Sequence, residues 1–182
     1  MLIKLHFTQR GFTLVELITV LVVLGIVSIV AIPRFSGTDT YAEFALQQRL
    51  KTALRTLQIK SMYDTRAGFC YKLNVSISSS STEAAFGPAT NNYQSGNESN
   101  TCANTIDFTA PSYLRSASNE LSAQNIDIEA LDSGLAISFV EFNSLGQPIS
   151  SRGQCTAGCE LSFIGAATAK VCISSQGYVH DC

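Results

Sequence analysis

Hydrophobic positions along this chain follow three different patterns in turn, and each predicts a different element. From Phe12 to Ile32 the pattern is continuous: 21 residues in which Glu16 is the only ionisable side chain. A helix that is apolar on every side belongs in lipid or inside a bundle of other helices. A bilayer core of ~30 Å takes ~20 helical residues, so the run is long enough to span one. Gly25 and Ser28 are small enough to let a second helix approach closely. Pro33 closes the run, where it breaks or kinks the helix, and Gly37 follows within a turn. Beyond it, Thr40-x-x-Glu43 has the spacing of a capping box that opens a second helix. Phe44, Leu50, Leu54, Leu57 and Met62 then recur at roughly helical spacing as far as about Thr65. Arg49, Lys51, Arg55, Lys60 and Arg66 make this stretch basic; a solvated helix face is favoured over a surface for DNA or an acidic partner.

The pattern then shortens to a period of two. Residues 69–77 alternate, with Phe69, Tyr71, Leu73, Val75 and Ile77 on one face of a strand. A polar stretch from Ser78 to Thr105, with four consecutive serines and Gly87-Pro88, reads as a long loop, either a variable surface patch or a tolerated insertion. Residues 112–132 are ambiguous between a short helix and an irregular connection with a strand. Strand formers return over Leu135–Phe142, followed by a turn at residues 143–148 and strands at 160–165, 168–174 and 178–180. The expected fold is α+β, a long N-terminal helix packed on a mostly antiparallel β head.

Charge and cysteines narrow the function. The net charge is −2 over 182 residues, which gives a dense basic surface for nucleic acid a poor start. Cys70, Cys102, Cys155, Cys159, Cys172 and Cys182 all follow the apolar run, as expected of a head oxidised in an extracytoplasmic compartment. The sequence does not fix their pairing. The preferred set joins Cys155 to Cys159 in a tight loop eased by Gly158, Cys172 to Cys182 at the C-terminus, and Cys70 to Cys102 around the polar stretch. That last link is worth roughly 3–4 kcal/mol as loop closure. A thiolate zinc site is disfavoured: there is one closely spaced cysteine pair, and His180 is the only histidine after His6. No nucleophile elbow, metalloprotease motif or phosphate loop is present, so no catalytic residue, metal or cofactor is expected. Asp127, Glu129 and Asp132 read as solvent-facing acids.

Glu16 remains unexplained by a plain membrane anchor, because a carboxylate inside a spanning helix costs ~2.5–3.5 kcal/mol on insertion scales. A cleaved secretory signal fits no better: the apolar run is too long and ends in Ala31-Ile32-Pro33-Arg34, without a small-x-small site. Lys4 and Arg10 make the leader basic, which holds it in the cytoplasm. Arg10-Gly11-Phe12-Thr13-Leu14-Val15-Glu16 resembles the cleavage site of type IV prepilins and their pseudopilin relatives. The resemblance implies that a prepilin peptidase/N-methyltransferase cuts after Gly11 and methylates Phe12. It implies further that Glu16 pairs with the Phe12 amine of a neighbouring subunit, and that a kink at Pro33 lets the helix bend as subunits pack. Its segments would be a leader at 1–11, a transmembrane and assembly helix at 12–35, the soluble half of the helix at 36–67 and a disulfide-bonded periplasmic head at 68–182.

A second resemblance lies further on. Phe142-Asn143-Ser144-Leu145-Gly146-Gln147-Pro148, then Ile173-Ser174-Ser175-Gln176-Gly177-Tyr178-Val179, with Asp64-Thr65-Arg66 after the helix, is similar to the H-type minor pseudopilins and to minor pilins of the mannose-sensitive haemagglutinin pilus. This implies a non-enzymatic minor subunit of an adhesion pilus, in its tip or initiation complex. Before assembly it would sit in the inner membrane with its head in the periplasm; afterwards it would be extracellular. The implied partners are other pilin subunits, the processing enzyme, the inner-membrane assembly platform and the membrane. The alternatives are a pseudopilin of a type II secretion system and a tip module that binds DNA or a host or other surface. Removing residues 1–11 takes away Lys4 and Arg10 and no acid, so the charge moves from −2 to −4 and disfavours phosphate binding. Tyr63, Tyr71, Tyr93, Tyr113 and Tyr178 read as packing residues or loop decoration rather than a sugar-binding surface.

Overall fold

The computed structural model describes residues 12–35, 41–64, 71–77, 83–90 and 103–182, without the side chains of 29–35. The chain divides into two compact units, Met1–Thr38 and Asp39–Cys182. In the first, helix α1 spans Leu14–Phe35. It therefore continues past Pro33, so that of the break or kink expected there the break does not occur. A proline two residues from the end of a helix removes one N–H from the last turn, a smaller loss than in the helix interior. Thr19 Oγ1 donates to Glu16 O at 2.9 Å and Ser28 Oγ to Leu24 O at 2.7 Å, so both hydroxyls are satisfied within α1.

The second unit begins with helix α2, Ala42–Tyr63. Among the described residues ten strands follow: β1 Lys72–Ser76, β2 Ala85–Pro88, β3 Asp127–Asp132, β4 Leu135–Ala136, β5 Phe139–Phe142, β6 Pro148–Ser150, β7 Gly153–Gln154, β8 Cys159–Ile164, β9 Thr168–Ile173 and β10 Val179–Asp181. A single 3-10 turn, Ser112–Leu114, and a short helix α3, Glu120–Ala123, precede β3. The strands form two five-stranded sheets, in the orders β2-β1-β5-β6-β7 and β10-β9-β8-β3-β4. Every pairing is antiparallel. The run Leu135–Phe142, which reads as one strand, is two: β4 closes the second sheet and β5 enters the first, with Ile137 buried between them.

The apolar stripe of α2 is Leu46, Leu50, Ala53, Leu54 and Leu57, all in the core. It meets Leu73 and Val140 of the first sheet and Leu161, Phe163 and Val171 of the second within one cluster. Phe44 and Met62, expected in that stripe, are 46% and 49% exposed. The basic residues of α2 are not simply solvated. Arg49 bonds both carboxylate oxygens of Glu120 at 2.8 and 2.6 Å, Lys51 pairs with Asp181 at 2.8 Å, and Arg55 donates to Val179 O at 2.8 Å.

Three further expectations are corrected. The stretch 78–105 is not a loop throughout, because β2 lies inside it and is buried along its whole length. The segment that follows lies over β1 and β2: Asp107 N–H donates to Pro88 O, Ala89 pairs with Ile106, and a Cβ on Gly87 would run into Ile106 and Arg115. That cover also buries Lys72 and Asn74, the polar face of β1. Asp132 is not solvent-facing; it is buried and accepts from Ser150 Oγ at 2.7 Å, whereas Asp127 and Glu129 are exposed.

The third correction concerns Glu43. Tyr41 stands at the N-cap of α2 and makes no side-chain cap hydrogen bond, and Thr40 lies outside the described residues. The Glu43 side chain is fully buried, and its Oε1 accepts the Ala167 N–H at 3.0 Å in the β8–β9 turn, while Oε2 has no hydrogen-bond partner. Cys155 is bonded to Cys159 and Cys172 to Cys182. Cys70 and Cys102 lie outside the described residues, as do residues 36–40 between the helices.

Glu43 explains Gly165. A Cβ there would strike Glu43 Oε1 and press on Ile126. Gly165→Ala should cost about 1–3 kcal/mol by overpacking, and clearly less when Glu43 is also changed to Ala. Urea unfolding of the head, as a double-mutant cycle, checks this; equal costs in both backgrounds would detach the glycine from the carboxylate. A second prediction concerns pH. Burial pushes the Glu120 carboxyl up, but the Arg49 bonds and the Ala117 N–H outweigh it and leave its pKa below the ordinary 4.5. Its stabilisation is therefore present above the unfolded pKa and lost as pH falls through the lower folded one. Glu120→Gln should flatten the acid limb of a stability–pH curve below about pH 4.5.

Candidate functional site: the start of the first helix and the paired turns

The N-terminal unit places Phe12 and Thr13 just ahead of α1. Thr13 Oγ1 accepts the Glu16 N–H at 3.2 Å, and Thr13 O accepts the Leu17 N–H at 3.2 Å. Thr13 is thus the residue that caps α1, with Glu16 three positions on, the spacing of a capping box. A negative side chain in the first turn also suits the positive end of the helix dipole. The cap was hidden in the sequence because Thr13 and Glu16 lie inside a run whose dominant signal is apolar.

All described side chains of α1 are exposed, from Phe12 at 83% to Val20 at 50%. Among the described residues of α1, Glu16 has no ion-pair partner, while Thr19 and Ser28 are satisfied within the helix. A carboxylate in this setting fits a partner that brings positive charge. Gly11 lies outside the described residues, and of Pro33 only the backbone is described.

In the head, the two turn motifs meet. Gly146 and Gly177 both have positive φ, +76° and +89°. Gln58 of α2 donates from Nε2 to Gly146 O at 2.8 Å and to Gly177 O at 2.7 Å. A Cβ on Gly177 would collide with Gly146 O. Gln58 gave no sign in the sequence, since its role depends on two turns that lie 88 and 119 residues away. Tyr178, beside Gly177, is 66% exposed and stacks on His180 with ring centroids 4.9 Å apart. Tyr63 and Tyr113 are also exposed, so neither is a core packing residue, whereas Tyr71 is half-buried and donates to Asp64. Tyr93 lies outside the described residues.

Among the described residues two groups are compact enough to hold a metal, Asp132 with Cys155 and Cys159, and Glu160 with Cys172 and Cys182. In both the sulfurs are joined as disulfides and offer no thiolate.

Residues 7–32 match the prokaryotic N-terminal methylation motif, a type IV pilin-like prepilin signal. The architecture, an N-terminal helix and then antiparallel sheets, fits a pilin-like α+β chain. No curated protein and no solved structure is significantly similar to the chain. Among the described residues no helix is long and apolar enough to cross a membrane, and the described side chains of α1 stop at Ser28, short of the end of the apolar run.

Gly177→Ala should destabilise the head by roughly 2–4 kcal/mol, from a non-glycine residue at positive φ and the collision with Gly146 O. Gln58→Ala should cost about 1–3 kcal/mol for two lost bonds to buried carbonyls. Thermal unfolding of both variants checks the order.

Proposed function

We propose that the chain is a minor subunit of a type IV adhesion pilus. A prepilin peptidase releases residues 1–11 by cutting after Gly11, and the amine of Phe12 is methylated. Helix α1 crosses the inner membrane in a single pass with the head in the periplasm, then leaves the membrane by packing against the helices of other pilins. The protein is itself a substrate rather than an enzyme, and needs no cofactor.

The observation that carries this reading is Glu16, a carboxylate on an otherwise apolar helix surface, four residues after the end that processing would create. A charged amine and a carboxylate are each costly in a packed apolar bundle and tolerable as a pair. Cutting after Gly11 also leaves the Thr13 cap and the whole of α1 intact. A kink at Pro33 lets the helix bend as subunits pack. The arginine and lysine contacts of α2 to Glu120, Asp181 and Val179 O support a partner other than nucleic acid. The exposed Tyr178–His180 stack supports a place where the head meets a surface or a neighbouring subunit.

The test is intact mass and N-terminal sequencing of the membrane-extracted protein, with Glu16→Ala beside it. The expected mature terminus is methylated Phe12. Glu16→Ala should insert and be cut, yet be lost from sheared fibres. An uncut Met1, or normal assembly of the variant, overturns the processing or the ion pair respectively. Deletion separates the pilus from a type II secretion pseudopilus: fibre-dependent adhesion should fall while protein secretion is unchanged.

A further inference from the structure

The outer face of β1 carries a cluster that the assembly role does not use. Lys72 stands directly opposite Glu141 of β5, and Phe139 lies two residues from Glu141 on the same face. The Lys72 residue is 4% exposed, and its Nζ lies 4.5 Å from the centre of the Phe139 ring. Above it runs the end of the polar stretch. Asn74 Nδ2 donates to Ala103 O at 3.0 Å and Thr105 O at 2.9 Å, which fixes the residue between them, Asn104. Lys72 Nζ donates to Asn104 Oδ1 at 2.8 Å. A carbonyl bond is about 1.2 Å long, so Nζ lies within about 4 Å of the carboxamide carbon.

An amine held against a carboxamide, with a shielding aromatic ring beside it and a carboxyl-bearing residue directly opposite on the next strand, supplies the components of an amide exchange. We propose that Lys72 and Asn104 become joined by an amide bond between Nζ and Cγ, formed by the folded chain itself and closing the base of the polar stretch. Lys72 passes a proton to the Glu141 carboxylate, and the neutral amine attacks Cγ of Asn104. Nδ2 takes that proton back from Glu141 and is expelled as ammonia, and the second proton of the attacking Nζ leaves with it as ammonium, so that a neutral amide N–H remains. One C–N bond forms and one breaks, nothing is oxidised or reduced, and no other reactant is consumed. Asn104 is exposed, which gives the ammonia its way out.

The direction of both titrations suits the proton transfer. Burial lowers the Lys72 pKa, with Glu141 opposing; burial raises the Glu141 pKa, with Lys72 opposing. A desolvated lysine is a stronger nucleophile at neutral pH. The bond would replace a hydrogen bond with a covalent tie that survives reducing conditions, which a disulfide across the same stretch does not.

Peptide mass spectrometry of the full-length, membrane-extracted protein, reduced, alkylated and cut with trypsin, tests this. Trypsin does not cut after an acylated lysine. Since no Lys or Arg lies between Lys72 and Arg115, residues 67–115 should appear as one peptide, lighter than the linear form by one ammonia, about 17 Da. Fragmentation should yield no backbone breaks between residues 72 and 104. Glu141→Gln should fold to the same far-ultraviolet spectrum, lose the link and restore cutting after Lys72. An unmodified 73–115 peptide in the parent protein overturns the proposal. So does the same mass deficit with Lys72 still cut, which marks a cyclised asparagine instead. A link that persists in Glu141→Gln removes Glu141 as the proton carrier.

Discussion

The head depends on the burial of one face of α2. Leu46, Leu50, Ala53, Leu54 and Leu57 occupy the same cluster as the inner residues of both sheets. Each sheet is five strands, several of them two or three residues long, and such sheets need a shared apolar partner to be stable. The contribution is of the order of 1.5–3 kcal/mol for each large side chain removed from water. The polar residues of α2 then fix what the stripe alone leaves free. Gln47 and Arg55 donate to carbonyls of Lys170 and Val179, Gln58 to two turns, and Ser61 to Asn143. A smooth apolar stripe tolerates sliding; a row of donors matched to particular carbonyls does not.

This division of labour explains how much was legible. Where a signal was local, the sequence reading came close. The apolar run became α1, the amphipathic stretch became α2, and the alternating C-terminal segments became β8, β9 and β10 within a residue or two. Turns with obligatory glycines, Gly146 and Gly177, fell where composition placed them. What stayed hidden was set by partners distant in sequence. Strand β2 sits among serines, alanines and a Gly-Pro pair, and it is a strand because β1 pairs with it and the 103–115 segment covers it. Lys72 and Asn74 obey the alternation of a surface strand, and are buried only because that same segment lies on them.

For the candidate site the balance is reversed. Gly11, Phe12, Glu16 and the apolar run are a contiguous signal, readable without a fold. The structure adds the cap at Thr13, which shows that α1 begins after the proposed cut rather than across it. Of the cysteine pairs, the two of short separation, 4 and 10 residues, are those whose partners could be guessed from proximity in the chain. The spread of charge along α2 misled: a basic helix face suggested solvent, and each of Arg49, Lys51 and Arg55 instead holds a piece of the head.

Two glutamates carry the remaining lesson, since both stand three residues after a threonine. Thr13-x-x-Glu16 and Thr40-x-x-Glu43 are identical as patterns; Thr13 caps α1, while Thr40 lies outside the described residues and the Glu43 side chain bonds the β8–β9 turn. The difference lies in what each carboxylate can reach. Glu43 stands on the face of α2 that packs toward the sheets, where the Ala167 N–H of the β8–β9 turn needs an acceptor, and its side chain is drawn inward. Glu16 stands on a helix with no partner among the described residues, so only its own first turn can use its backbone N–H. A buried acid held by one hydrogen bond is a fastening between helix and sheet. A surface acid on an apolar helix keeps its charge only where water or a positive group stands beside it. The same short pattern thus ties helix to sheet in the head and opens a helix in the other unit.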